Sequence, residues 1–221
     1  MSYILHLETA TKSCSAALSK DGKLVQIEES LDEQYSHGEK LTVFIQDLLQ
    51  RENIAPANLA AISLSSGPGS YTGLRIGVSV AKGMCYSLSI PLIAIDSLRC
   101  LYELAKLKYE SHTIVPMIDA RRMEVFCSVF KEGKQVRDIA AEILEENSFK
   151  ELEPFVICGD AAAKVSLFWE GRDVIFDFEI HSSAAGQVST AWNKFQKKEF
   201  EDLAYFEPFY LKDFEMKTKK K

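Results

Sequence analysis

The run Ser65-Ser66-Gly67-Pro68-Gly69-Ser70-Tyr71-Thr72-Gly73-Leu74-Arg75-Ile76-Gly77 constrains the fold more than any other stretch of the chain. The apolar segment from Leu59 to Leu64 leads into it, and a small-and-apolar segment from Leu74 to Tyr86 leads out. That order reads as strand, tight glycine turn and buried helix. Glycine turns of this kind can cradle phosphate, because backbone N–H groups and a helix N-terminus then face an anion. The spacing fits neither known cradle. A P-loop requires Gly-Lys-Ser/Thr after four intervening residues, but Thr72 stands five places after Gly67 and no lysine follows it. A dinucleotide loop requires G-x-G-x-x-G beside the first strand, whereas Gly73 falls one place late and far from the N-terminus.

The alternative is a close-packing device, and the helix expected at 73–87 favours it. Its polar residues Arg75, Ser79 and Lys82 form one narrow stripe, while Ile76, Val78, Val80, Met84 and Cys85 are apolar. A helix apolar over most of its circumference is covered on more than one side. Gly73, Gly77 and Ala81 recur every four residues and leave a flat strip for close approach. Gly77 and Gly83 each cost about 1 kcal/mol relative to alanine inside a helix. Tight packing, against the core or against another protein, must offset that cost.

The remaining pattern is α/β. Tyr3 to Glu8, Ser13 to Ser19 and Leu24 to Glu28 read as three strands, the last two joined by an Asp21-Gly22 hairpin turn. His6 reads as a strand residue with a hydrogen-bond partner. Ser36 and Glu39 form a capping box, and Leu41, Phe44, Ile45, Leu48 and Leu49 follow at helical spacing, so 38–51 is an amphipathic helix. A strand at 60–65, the glycine turn, the helix at 73–87 and a strand at 92–95 complete a ribonuclease-H-like layout. Asp96-Ser97 caps a further helix to about Lys108. A second half then opens with strands from Thr113 to Ile118 and Met123 to Phe130, and a third after Glu132-Gly133-Lys134. Another strand, Phe155 to Cys158, leads through Gly159-Asp160 to a helix at 161–169, and Ser182 caps a last helix to about Lys198. The expected organisation is a first lobe at 1–98, a smaller second lobe at 99–206 and a basic tail at 207–221, which is either solvated and loose or, through Lys217, Lys219, Lys220 and Lys221, in touch with phosphates or an acidic partner.

A duplicated ribonuclease-H-like layout is the frame of the acetate kinase, Hsp70 and actin superfamily, but the nucleotide site here is degenerate. Glu8 follows the first strand, yet Thr9-Ala10-Thr11-Lys12 supplies no phosphate-binding glycine. Asp119 opens the second half, yet Ala120-Arg121-Arg122 follows it, and Gly159 stands alone. Each missing glycine removes a place where backbone can approach a phosphate closely. Glu8 and Asp119 remain candidates for holding magnesium between them, or are two hydrogen-bonded strand-end carboxylates. The four histidines (6, 37, 112, 181) form no metal motif, and no serine sits in G-x-S-x-G. The net charge of -6 disfavours a free-standing nucleic-acid binder. No run approaches the ~18–20 apolar residues of a membrane span, and the start lacks a basic leader region. Five scattered cysteines without a C-x-x-C pair suit reduced, buried thiols in a cytoplasmic protein.

Ile4 to Thr11, Cys14 to Leu18, Ser66 to Gly77, and Ile118-Asp119-Ala120-Arg121 with Glu124-Val125 closely resemble the TsaB (YeaZ) family. The likeness is strong over the first ~130 residues and looser beyond. Departures are Glu8 where the family usually has Asp, Phe126 where it often has Tyr, and Ala161 where glycine is common. The resemblance implies a non-catalytic subunit in bacterial tRNA threonylcarbamoyladenosine synthesis, without cofactor or metal. It implies a heterodimer with TsaD, the related subunit that transfers the threonylcarbamoyl group to an adenosine beside the anticodon, and a third component, the small ATPase TsaE. The TsaD contact would be a four-helix bundle using the first two helices, with Leu41, Ile45, Tyr71, Thr72, Gly73, Arg75, Ile76, Gly77, Val80, Ala81 and Met84 as contact residues. Contact with tRNA would be indirect, through the complex. A surface built for related helices can also pair with its own copy, so a homodimer in isolation is a further expectation. The alternatives are an independent ATP-dependent transferase or kinase using Glu8 and Asp119, and a peptidase of the glycoprotease (M22) type.

Overall fold

A computed structural model describes residues 1–31 and 37–212. The Ser36–Glu39 capping box and the lysines from Lys217 onward lie outside, or depend on, residues not described.

The chain forms two five-stranded mixed sheets of the same topology. The first contains β1 (Tyr3–Glu8), β2 (Ser13–Lys20), β3 (Lys23–Leu31), β4 (Leu59–Ser65) and β5 (Leu92–Ile95), in the order β3-β2-β1-β4-β5. The second contains β6 (Thr113–Asp119), β7 (Glu124–Lys131), β8 (Lys134–Ile143), β9 (Phe155–Cys158) and β10 (Val174–Phe176), in the order β10-β9-β6-β7-β8. In each, an antiparallel meander of three strands continues into two parallel strands. This is the expected duplicated two-lobe architecture. Strand β10 went unread because three residues carry no alternation to detect.

The helices show where the copies diverge. The first lobe has α1 (His37–Arg51) before β4, α2 (Tyr71–Leu88) before β5, and α3 (Ser97–Ala105) after it. The second has α4 (Ala162–Phe168) before β10 and α5 (Val188–Lys197) after it. Where α1 would recur, between β8 and β9, stands only a single 3-10 turn, Lys150–Leu152. The paired helices α1 and α2 therefore belong to the first lobe alone.

Alternation along β1 sorts the two faces of its sheet. Leu5 and Leu7 join Leu41, Ile45, Leu48 and Leu49 of α1 and Val78, Ala81 and Cys85 of α2 in one core. Ile4 faces the other way, with Ala61, Ile93, Cys100 and Ala191, and with Trp192 and Phe195 of α5 partly covering them. Helix α3 turns Leu98, Leu101, Tyr102 and Ala105 onto Ile114, Ile118, Phe126 and Phe130 of the second sheet. So α5 and the segment after it, grouped above with the second lobe, pack on the first sheet.

Two ends differ from the sequence reading for local reasons. Helix α2 begins two residues early because the Ser70 hydroxyl accepts from Gly73 N at 3.3 Å and caps it. The last helix begins at Val188 because Ser183, not Ser182, caps a 3-10 turn over Ala184–Gln187 first. The tail, read as loose from Glu207, is docked as far as Lys212. Glu201 bridges to Leu92, Phe209 N donates to Ser66 O at 2.7 Å, and Lys212 pairs with Glu124.

Candidate functional site

The glycine run packs against the chain's own backbone. A Cβ on Gly69 would lie 2.2 Å from the carbonyl oxygen of Ala10, in the loop after β1. Gly67, at φ +115°, would place one 2.5 Å from the carbonyl oxygen of Phe209 in the tail. Ser70 N donates to Ala10 O at 2.6 Å, and Ser97 N donates to Gly67 O at 2.8 Å. Four segments thus meet at this turn, and the spaces its glycines leave are filled by protein atoms. The close-packing reading of the sequence holds, and the cradle reading does not.

Gly77 corrects the expected partner surface. A Cβ there would meet Thr9 Oγ1 at 2.4 Å, so the strip of Gly73, Gly77 and Ala81 lies against the loop after β1 and the sheet. Leu41 is fully buried in the same core. These four residues cannot touch a partner while the chain stays folded. Tyr71, Thr72, Arg75, Ile76, Val80 and Met84 do reach the surface, half-buried or exposed, and Ile45 lies at its border. An open groove of about 420 Å³ runs along Tyr71, Thr72, Arg75, Ile76, Ser79 and Val80. A second, of about 650 Å³, lies along α1 and the segment that follows it, from Thr42, Ile45 and Gln46 to Pro56 and Asn58, with Met84 of α2 at its side. Thr42 and Gln46 were not singled out from sequence, because polar residues on an amphipathic helix look like an ordinary solvated face.

The tail covers one flank of α2. Lys82 Nζ donates to the carbonyls of Ala204 and Phe206 at 3.1 and 3.2 Å. The Arg75 guanidinium stacks 3.9 Å from the Tyr71 ring centroid, and its Nε donates to Tyr210 Oη at 3.2 Å. The polar stripe read from the sequence is therefore largely a docking strip for the chain's own tail.

Glu8 is fully buried, on the same face of β1 as Ile4. Its carboxylate accepts from Ala10 N at 2.6 Å and from the Ser65 hydroxyl. Gln187, at the end of the 3-10 turn before α5, donates to Ser65 Oγ at 3.1 Å and to Leu7 O at 2.7 Å, and accepts from Ser63 Oγ at 2.5 Å. This network ties β1, β4 and the start of α5 together. Burial pushes the Glu8 carboxyl up to about 7, against the opposing pull of Ser65 and of the Ala10 and Thr9 amides. Burial also holds His6 down to about 3, with its Nε2 at 2.7 Å from Ser19 Oγ. That histidine–serine pair is sealed between β1 and β2, out of reach of a peptide bond.

Both groups make stability depend on pH, with opposite signs. Between pH 4.5 and 7 folded Glu8 keeps a proton that the unfolded chain releases, so its contribution is full below about 4.5 and is lost as pH rises through 7. His6 does the reverse, contributing above 6.5 and losing that contribution as pH falls toward 3. The two slopes offset each other near pH 5–6 in the wild-type chain. The difference between wild type and Glu8→Gln isolates the first. Urea unfolding should show the wild type losing about 2–3 kcal/mol relative to that variant between pH 5 and 8. A constant difference would contradict this account of Glu8.

Asp119 sits apart from this network, on the surface. It accepts from Arg121 N at 2.8 Å and from Lys164 Nζ at 2.5 Å, and its own N–H donates to Asp160 at 2.8 Å. Glu8 is enclosed while Asp119 is tied to Lys164, and the glycine turn is filled, so these residues do not fit a nucleotide with its magnesium. Among the described residues no three His, Cys, Asp or Glu side chains come together to hold a metal ion. All five cysteines are free and buried. Ser65 and Gln187, which fix Glu8, left no signal in the sequence because 122 residues separate them.

A family model described as TsaD, tRNA N6-adenosine threonylcarbamoyltransferase, matches residues 32–220. The tRNA threonylcarbamoyladenosine biosynthesis protein TsaB of Haemophilus influenzae is 26% identical over 227 residues, covering 95% of this chain and 93% of that protein. The protein of the same description from Bacillus subtilis is 33% identical over 128 residues, 58% of this chain and 55% of that protein. Among solved structures, YeaZ from Pseudomonas aeruginosa shares the fold with a TM-score of 0.82 at 24% identity, covering 96% of this chain and all of that one (100%).

Proposed function

We propose, from the premise that this chain belongs to the TsaB/YeaZ family, that it serves tRNA threonylcarbamoyladenosine biosynthesis as a non-catalytic subunit that holds TsaD. The observation that carries the reading is the packing of the glycine run. Gly67, Gly69 and Gly77 are each closed by atoms of this chain, so the run offers no open backbone to a phosphate. The enclosure of Glu8 supports the same conclusion.

The partner face in this proposal is the outward side of α1 and α2, with Thr72, Ile76, Val80 and Met84 on α2 and Thr42 and Gln46 on α1. Three features support it. The helix pair has no counterpart in the second lobe. Its outward side carries half-buried apolar residues between two grooves. TsaD is related in fold, so two such pairs can close a four-helix bundle by ridge-into-groove packing. TsaE joins the assembly in this reading, and the work takes place in the cytoplasm. Among the described residues no helix is long and apolar enough to cross a membrane.

The test is reconstitution with TsaD, TsaE, ATP and a threonylcarbamoyl donor system, scoring modified tRNA. Removing this chain should reduce product at least about 100-fold, roughly 3 kcal/mol of lost catalysis. Asp119→Asn should leave the rate within about threefold, less than 1 kcal/mol. A rate that collapses with Asp119→Asn while the complex still assembles would favour the transferase reading.

A further inference from the structure

Among the described residues, five of the seven arginines are engaged. Arg51, Arg99, Arg137 and Arg172 pair with carboxylates, and Arg75 is held by Tyr71 and Tyr210. The other two, Arg121 and Arg122, are adjacent and exposed, and their guanidinium groups make no hydrogen bond or ion pair. They form the tip of the β6–β7 hairpin, closed by Ala120 N donating to Glu124 O at 3.1 Å. Both are in the left-handed region, at φ 71° and 51°. That conformation is strained for a residue with a long side chain, and Asn or Gly would meet it with less strain. The turn thus holds two long cations where local folding favours neither.

The surroundings leave that positive charge uncancelled. Lys164 donates to Arg122 O at 3.0 Å and pairs with Asp119, and Lys212 pairs with Glu124. Lys12, in the loop after β1, is close enough to act on the Asp160 carboxyl, which bonds the Asp119 amide. Three lysines thus balance Asp119, Asp160 and Glu124, and the two arginines stand as the unpaired positive charge of the cluster, on a chain whose net charge is -6.

We propose that the Arg121–Arg122 turn contacts the phosphodiester backbone of RNA. Guanidinium groups match phosphate oxygens in bidentate geometry, and free neighbouring arginines can take successive phosphates. The choice of RNA over an acidic protein surface rests on the tRNA-modification reading above.

The test is fluorescence anisotropy of an unmodified tRNA transcript, with adenosine 3′ to its anticodon, titrated with the complex of this chain and TsaD. Light scattering reports assembly in parallel. Arg121→Gln with Arg122→Gln should assemble normally, bind the transcript about tenfold more weakly at 50 mM salt, and lose about 1.4–1.8 from the slope of log affinity against log salt. Arg121→Asn with Arg122→Gly should weaken RNA binding equally while raising the melting temperature by about 2–4 °C. A purely structural turn would not couple a gain in stability to a loss of binding. Unchanged affinity and salt slope would overturn the inference. So would weaker RNA binding that only tracks loss of TsaD, since the arginines would then face protein. If wild type forms no complex, the scaffold reading fails separately, and the same comparison on the chain alone decides the RNA contact.

Discussion

Val80→Glu is expected to weaken binding to TsaD at least about 100-fold, close to 3 kcal/mol, while the chain stays folded. Val80 is half-buried on the outward side of α2, between Ile76 and Met84, at the edge of the groove that Tyr71 and Thr72 line. In the free chain a glutamate there can swing into water, so stability should change by about 1 kcal/mol or less. Inside a helix bundle the same carboxylate would be enclosed without a cation, which costs several kcal/mol. Isothermal titration with TsaD reads the effect, and circular dichroism checks the fold. Full affinity in the variant would move the interface off this face.

Gly69→Ala is expected to destabilise the fold by about 3 kcal/mol. In a chain of this size that lowers the melting temperature by roughly 6–12 °C. The new methyl would sit 2.2 Å from Ala10 O and 2.9 Å from Ala10 Cβ. The carbonyl cannot yield freely, because it accepts from Ser70 N at 2.6 Å at the start of α2. Gly83→Ala supplies the contrast within the same region. No atom lies within 4 Å of its added Cβ, so the helix should gain up to about 1 kcal/mol. Equal effects from the two substitutions would mean that the glycine run is not the packing device described.

The glycines show what the sequence could convey. Gly77 and Gly83 were legible as helix glycines with a cost that packing must offset; Thr9 packs on Gly77, whereas nothing lies within 4 Å of a Cβ on Gly83, where the cost stands unmet. Which neighbours close the run was not legible, since Ala10, Thr9 and Phe209 come from distant stretches of chain. The recurrence of Gly73, Gly77 and Ala81 marked a strip for close approach by the core or by a second protein, and at Gly77 the neighbour is Thr9, in the loop after β1. Elements set by local chemistry read well. The Asp21-Gly22 hairpin sits at φ 49° and 78°, and the spacing from Leu41 to Leu49 marks the buried side of α1. Elements set by distant contacts did not. The tail from Glu207 looked loose because its anchors, Ser66 O, Tyr71, Arg75 and Glu124, lie far away in sequence. The network around Glu8 was invisible for the same reason, and so was the isolation of Arg121 and Arg122. That isolation emerges only once every other arginine has been given its partner.

Helices α1 and α2 are the face by which this chain is proposed to hold TsaD. The decisive measurement is size-exclusion chromatography with light scattering on the chain, on TsaD and on their mixture. The expected result is a one-to-one complex that forms at the expense of any homodimer and is lost with Val80→Glu. Two separate peaks at micromolar concentration, each of unchanged mass, would contradict it.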